Sequence, residues 1–191
     1  PLAEIPIDYV TNGVHNSWLS EPLVGLFSRH IGPDFLHHSD RKILGRIADI
    51  PDEEIWEAHK GNKQYLVNFV RAKLIGDLAD RGYSQMQTVS IPRLFNPEYL
   101  TIVFARRFAG YKRATLILRD KDRLSKILSD PKRPVQLIFA GKAHPADVGG
   151  KNMIREITSF IRDYKLEGRV FFLENYDMNV ARHLVWGADI W

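Results

Sequence analysis

The chain has 191 residues, 45% of them hydrophobic, enough apolar material for one sizeable core or two small ones. It has no cysteine, which excludes disulfides and thiolate chemistry, and no apolar run approaches the length of a membrane span. Its net charge of +4 is unevenly divided: residues 1–100 hold 10 Lys and Arg against 13 Asp and Glu, whereas residues 101–191 hold 17 against 10.

The chain starts at Pro1 without methionine and stops at Trp191 inside the apolar segment ADIW, so a piece of a longer protein is expected. No basic, apolar leader opens it, and with no cysteine a reducing, cytoplasmic setting is expected. Residues 1–98 read as a turn-rich and helical unit. Thr11 to Trp18, TNGVHNSW, is built around the turn dipeptide Asn12–Gly13. A short helix is predicted near Pro22–Arg29. Pro51 followed by Asp52, Glu53 and Glu54 marks the start of a longer helix whose apolar stripe, interrupted near Gly61, runs to Arg81–Gly82.

Residues 99–191 read as the first half of a Rossmann-like βα domain. Strand Leu100–Ala105 leads to helix Ala114–Leu128, strand Val135–Ala140 to helix Lys151–Tyr164, and strand Val170–Leu173 to helix Asn179–Val185, with Ala188–Trp191 opening a fourth strand. Repeated β-α units with apolar strands predict an α/β fold, a parallel sheet with helices on both faces.

In such a sheet the three strand endings, ARRF, AGKA and LENY, share one edge, so Arg106, Arg107, Lys142, Asn175 and Tyr176 are expected to converge. Arg106, Arg107, Lys112 and Arg113 cluster around Gly110, where a following helix amino terminus would add partial positive charge. A phosphate is the ligand this pattern fits; a solvated strand end is the alternative. The basic residues are scattered over strand ends and helix faces, not interleaved with aromatics, which favours small phosphorylated ligands over nucleic acid. His30, His37 and His38 have no partner at a metal-ligand spacing, Glu174 has no second carboxylate to work with, and Gly149–Gly150 lacks the spacing of a phosphate loop.

Four segments in order, TNGVHNSWL, FARRFAGYKR, FAGKAHP and VFFLENYDMNVA, resemble the α-glucan phosphorylases, most closely their shorter bacterial and archaeal branch. The resemblance implies the GT-B fold, a pyridoxal phosphate cofactor, and retaining phosphorolysis of an α-1,4-glucan by inorganic phosphate to give glucose 1-phosphate. It further implies that Arg107 and Lys112 hold the substrate phosphate, that Arg106 and Tyr176 lie beside the cofactor, and that Asn12 contacts the glucosyl unit. The resemblance also sets Asp177 where better-known members have arginine, a departure that bears on the surroundings of the cofactor phosphate. The family's Schiff-base lysine would lie downstream of Trp191, so this piece alone is expected to be inactive. Neither nucleic acid nor a membrane is expected as a partner, and an unpaired strand edge leaves homo-oligomerisation open. The rival readings are a nucleotide-sugar-dependent GT-B glycosyltransferase of the glycogen synthase kind and a non-catalytic carbohydrate- or phosphate-binding module.

Overall fold

Three apolar runs form the strands β1 (Leu100–Ala105), β2 (Val135–Ala140) and β3 (Val170–Leu173), with the bounds read from the sequence. They belong to a computed structural model that describes residues 8–10, 13, 15–37, 42 and 45–191. The strands pair in parallel in the order β1-β2-β3, and every residue of β2 is buried, as a central parallel strand covered on both faces requires. The expected fourth strand is present as a single parallel bridge, Ile190 to Ile102, on the side of β1 away from β2. After running outward from β1 to β3, the chain therefore returns to the other flank of β1, which makes that flank a topological switch point.

Helices cover both faces. Alternate strand residues Val103, Ala105, Ile138, Ala140, Phe171 and Leu173 meet Leu66, Val67 and Val70 of α2 (Asp52–Asp80) and Val180 and Leu184 of α5 (Met178–Gly187). The opposite parity, Val135, Leu137, Phe139 and Val170, meets Leu124 and Leu128 of α3 (Lys121–Leu128) and Ile157 and Phe160 of α4 (Val148–Asp163). The first helix, α1 (Glu21–Ile31), starts at Ser20, whose hydroxyl accepts from the Leu23 N–H at 3.4 Å, and packs on α2. Gln136, fully buried in β2, is satisfied: its Nε2 donates to Asn96 O and Thr101 Oγ1, and its Oε1 accepts from Asn96 N–H. Among the described residues no helix is long and apolar enough to cross a membrane.

Helices α1 and α5 extend one or two residues beyond their expected bounds, and three larger differences follow. Helix α2 is not interrupted at Gly61, which lies beside Pro22 of α1, where a Cβ would make ordinary van der Waals contact at 3.5 Å. Helix α4 begins three residues early, since the Asp147 carboxylate accepts from Gly150 N–H at 2.8 Å and caps it. The helix expected over Ala114–Leu128 starts only at Lys121. Arg113 takes a left-handed conformation, φ 54°, between the 3-10 turns Gly110–Lys112 and Leu116–Asp120, and Asp120 then caps α3.

Candidate functional site

The register Ala105–Ala140–Leu173 aligns the three strand ends, so Arg106, Gly141 and Glu174 leave the sheet side by side. Beyond the strands the first two segments remain tied: Arg106 N–H donates to Ala140 O at 3.1 Å and Phe108 N–H to Lys142 O at 3.0 Å. Phe108 is fully buried and anchors the turn, while the Arg106 and Arg107 side chains are exposed.

Two glycines let this turn sit where it does. Gly141 has φ 156°, and a Cβ there would lie 2.0 Å from Arg106 O and 2.8 Å from the Phe108 ring. Gly150, in the first turn of α4, would place a Cβ 2.4 Å from Phe108 O. Gly150 is thus a packing device that brings α4 against the Arg106–Phe108 backbone, while Gly149 is exposed. Periodicity does not reveal it, although an Asp three residues before Gly150 is a readable capping signal.

Lys112 is half-buried, with Nζ 4.7 Å from the Tyr111 ring centroid. With Arg113, Ile102, Phe104 and Ile190 it lines a cavity of about 490 Å³ on the open flank of β1, at the switch point. Arg106, Arg107, Lys112, Arg113 and Lys142 form no ion pair among the described residues. The positive charge at this end of the sheet is therefore not neutralised internally. The helix terminus expected directly after this turn is absent, because α3 begins nine residues after Lys112, with the 3-10 turn Leu116–Asp120 between them.

Tyr176 is half-buried against the core under α5. Burial pushes its phenol above the ordinary value, and the nearby Arg106 guanidinium partly offsets this. The neighbouring Asp177 is the amino cap of α5, its carboxylate accepting from Val180 N–H at 2.8 Å. The Asp177 carboxylate thus has a local structural use in starting the helix. Glu174 pairs with Arg81 at the end of α2 and serves as a structural acceptor. His30 meets Glu54 at 3.0 Å, and among the described residues no three His, Asp or Glu gather as a metal site would need.

Asn12 lies outside the described residues. The segment that follows it is held firmly: Trp18 O accepts from Trp186 Nε1 at 2.7 Å, and the Arg182 guanidinium lies 6.0 Å from the Trp18 ring. Helix α5 thus holds Trp18 through Trp186, while its Val180 and Leu184 belong to the core against which Tyr176 packs.

No protein-family model matches the chain. The chain is 43% identical to a glycogen phosphorylase of Aquifex aeolicus over 98% of its own length and 28% of that protein's. It is 40% identical to a maltodextrin phosphorylase of Thermococcus litoralis over 100% of its length and 23% of the relative's, and 41% identical to a glycogen phosphorylase of Mycobacterium tuberculosis over 98% and 22%. The chain thus spans 22–28% of the length of these relatives. The three-stranded α/β sheet accords with the GT-B architecture of such enzymes. By similarity along its whole length, the chain belongs to the glycogen and maltodextrin phosphorylase family, as a stretch of about a quarter of its members' length.

Proposed function

We propose that the polypeptide carrying this chain is a retaining α-1,4-glucan phosphorylase, a glycosyltransferase that uses inorganic phosphate to remove terminal glucosyl units as glucose 1-phosphate. The observation that carries this reading is the unneutralised cluster at the carboxyl edge of the sheet. Arg106 and Arg107 stand on a turn fixed by Phe108, Gly141 and Gly150, and Lys112 lies at the switch-point flank of β1. Cations without internal partners suit a site that must hold two phosphates at once, because each fixed charge offsets the repulsion between them.

In this reading Arg107 offers a planar fork to inorganic phosphate and Lys112 adds a compact charge, kept in place by Tyr111. The residues also fit pyridoxal phosphate: Arg106 beside the half-buried Tyr176 gives a cationic and an aromatic wall for its phosphate end. When bound, that cofactor supplies a phosphate group able to exchange a proton with the substrate phosphate. Asp177, committed to capping α5, contributes no cation there. Asn12 contacts the glucosyl unit, and residues 1–98 and 99–191 are the opening unit and the first half of the Rossmann-like domain. The protein acts in the cytoplasm.

The test is glucose 1-phosphate release from a maltodextrin by the full-length polypeptide, with and without inorganic phosphate, for wild type and Lys112→Ala. Phosphate-dependent release is expected, falling at least about a hundredfold in the variant, the scale of losing one charge-stabilising group. A folded, cofactor-loaded wild type that releases none would refute the reading.

A further inference from the structure

The Asp189 carboxylate, 11% exposed, takes donors from two elements. Its Oδ1 accepts from His59 Nε2 at 2.7 Å, and its Oδ2 accepts from Lys63 Nζ at 2.8 Å and from Thr101 N–H at 2.7 Å. His59 and Lys63 stand one turn apart on α2, while Thr101 is the second residue of β1. Lys63 is buried and also donates to Tyr99 O at 2.9 Å, so the carboxylate and the ammonium are both satisfied. The cationic edge of the sheet lies four residues further on, about 13 Å along β1.

The backbone beside this cluster is thinly paired. The returning chain meets β1 at the bridge Ile190–Ile102: Asp189 N–H and Ile190 N–H both donate to Thr101 O, at 3.0 and 3.2 Å, and Val103 N–H donates to Ile190 O at 2.8 Å. So short a ladder specifies register weakly, whereas a carboxylate that has to face α2 specifies it strongly. The two faces differ in chemistry. Val103 belongs to the core under α2 and α5, and Asp189 meets α2 on that same face. Ile102 and Phe104 belong to the opposite face, under α3 and α4, and with Ile190 and Lys112 they line the cavity of about 490 Å³ on the flank of β1.

A slip of one residue would turn every side chain of the returning strand to the other face. In one sense it carries Asp189 opposite Ile102, onto the face of Lys112, where the carboxylate competes with an anion for that charge. In the other sense it seats Trp191 where Ile190 stands. Either slip leaves Lys63 buried without its counter-charge, and the cost of an unpaired buried cation disfavours both. We propose that Asp189 is a positioning residue for the phosphate-binding edge: gripped by His59 and Lys63, it locks the register of the returning strand so that Ile190, and not a carboxylate, walls the cavity of Lys112. The lock is a property of the fold; its service to a phosphate site rests on the phosphorylase reading above.

The test uses the full-length polypeptide with Asp189→Asn, the milder His59→Leu, and Ile157→Ala as a control. Ile157 is fully buried on α4, away from the clamp, and truncating it removes a comparable amount of stability. His59 is a quarter exposed on the wall of a cavity of about 710 Å³ between Trp56 and Trp186, so its replacement leaves the core packed. Two readouts are taken without turnover: protection of the Val103 amide from hydrogen exchange, and binding of inorganic phosphate by isothermal titration calorimetry. Relative to the control, Asp189→Asn is expected to lose about tenfold in Val103 protection and about tenfold in phosphate affinity, and His59→Leu about threefold in each. Val103 protection equal to the control's in both variants would overturn the lock. Lost protection with phosphate affinity unchanged would overturn its link to the phosphate-binding edge. A wild type that releases no glucose 1-phosphate would count against the phosphorylase reading alone, because neither readout depends on turnover.

Discussion

Gly150→Ala offers a test of how the phosphate-binding edge is held. In the first turn of a helix, alanine in place of glycine ordinarily raises stability by up to about 1 kcal/mol. At position 150 the new methyl would stand 2.4 Å from Phe108 O, 3.0 Å from Ala143 Cβ and 3.1 Å from Asp147 Oδ2. The first of these is a backbone atom tied into the sheet extension through Phe108 N–H and Lys142 O, so the neighbour cannot rotate away. Overpacking of this kind costs about 1–3 kcal/mol; set against the helix gain, a net loss of about 2 kcal/mol is expected at the upper end. Gly149, one residue earlier and exposed, would meet only Asp147 Oδ1 at 3.3 Å, and Gly149→Ala is expected to be neutral or up to about 1 kcal/mol stabilising. Thermal unfolding followed by far-UV circular dichroism should therefore separate the pair, with Gly150→Ala about 4–8 °C below wild type. Added inorganic phosphate should raise the Tm of wild type more than that of Gly150→Ala, since Arg106 and Arg107 move with Phe108. Equal or greater stability of Gly150→Ala relative to Gly149→Ala would refute the claim that this glycine seats the turn.

Three further outcomes are expected. Burial pushes the Asp189 carboxyl up, but hydrogen bonds from Lys63, His59 and Thr101 N–H outweigh it and hold the group below its ordinary value. Its contribution is thus complete above the unfolded value near about 3.9 and is lost as pH falls through the folded one. Asp189→Asn should cost about 3–5 kcal/mol at neutral pH, because Lys63 is left buried and unpaired, and should flatten the acid limb of a stability–pH curve; an unchanged limb would refute the assignment. Asp177→Ala should lose about 1 kcal/mol of stability and Asp177→Asn only a few tenths, measured by denaturant unfolding, while identical losses would argue against the capping role. Gln136→Leu should cost about 1–3 kcal/mol, since Asn96 N–H loses its one described acceptor while Asn96 O keeps Tyr99 N–H and Thr101 Oγ1 keeps Tyr99 O, and a neutral result would show that the loop before β1 repacks.

Much of the fold was legible because its signals are local. Each strand is a short apolar run ended by polar or glycine residues, and Val135–Ala140 is apolar at five of six positions, the mark of a strand buried on both faces. The convergence of Arg106, Lys142 and Tyr176 followed from parallel pairing alone, since parallel strands end on one edge. The helix read over Ala114–Leu128 failed for an equally physical reason. Its apolar spacing is helical, but Arg113 at φ 54° and the cap at Asp120 divide the segment, and hydrophobic period does not report backbone hand. Gly61 reads as an interruption because helix propensity penalises glycine, whereas the long helix runs through it unbroken.

By itself the sequence determined the α/β class, the strand bounds, the basic edge and the family resemblance, all of which depend on residue type and near-neighbour spacing. Only the tertiary structure decided that Ile190 returns beside Ile102, which places Lys112 at a switch point, and that Gly141 and Gly150 admit the Phe108 turn. It alone joined Lys63 and His59 to Asp189, more than a hundred residues away, and opened the cavity between Trp56 and Trp186 beside them. Such features arise from contacts between segments distant in the chain. Their energies depend on distances of a few tenths of an ångström that no pattern of residue types encodes.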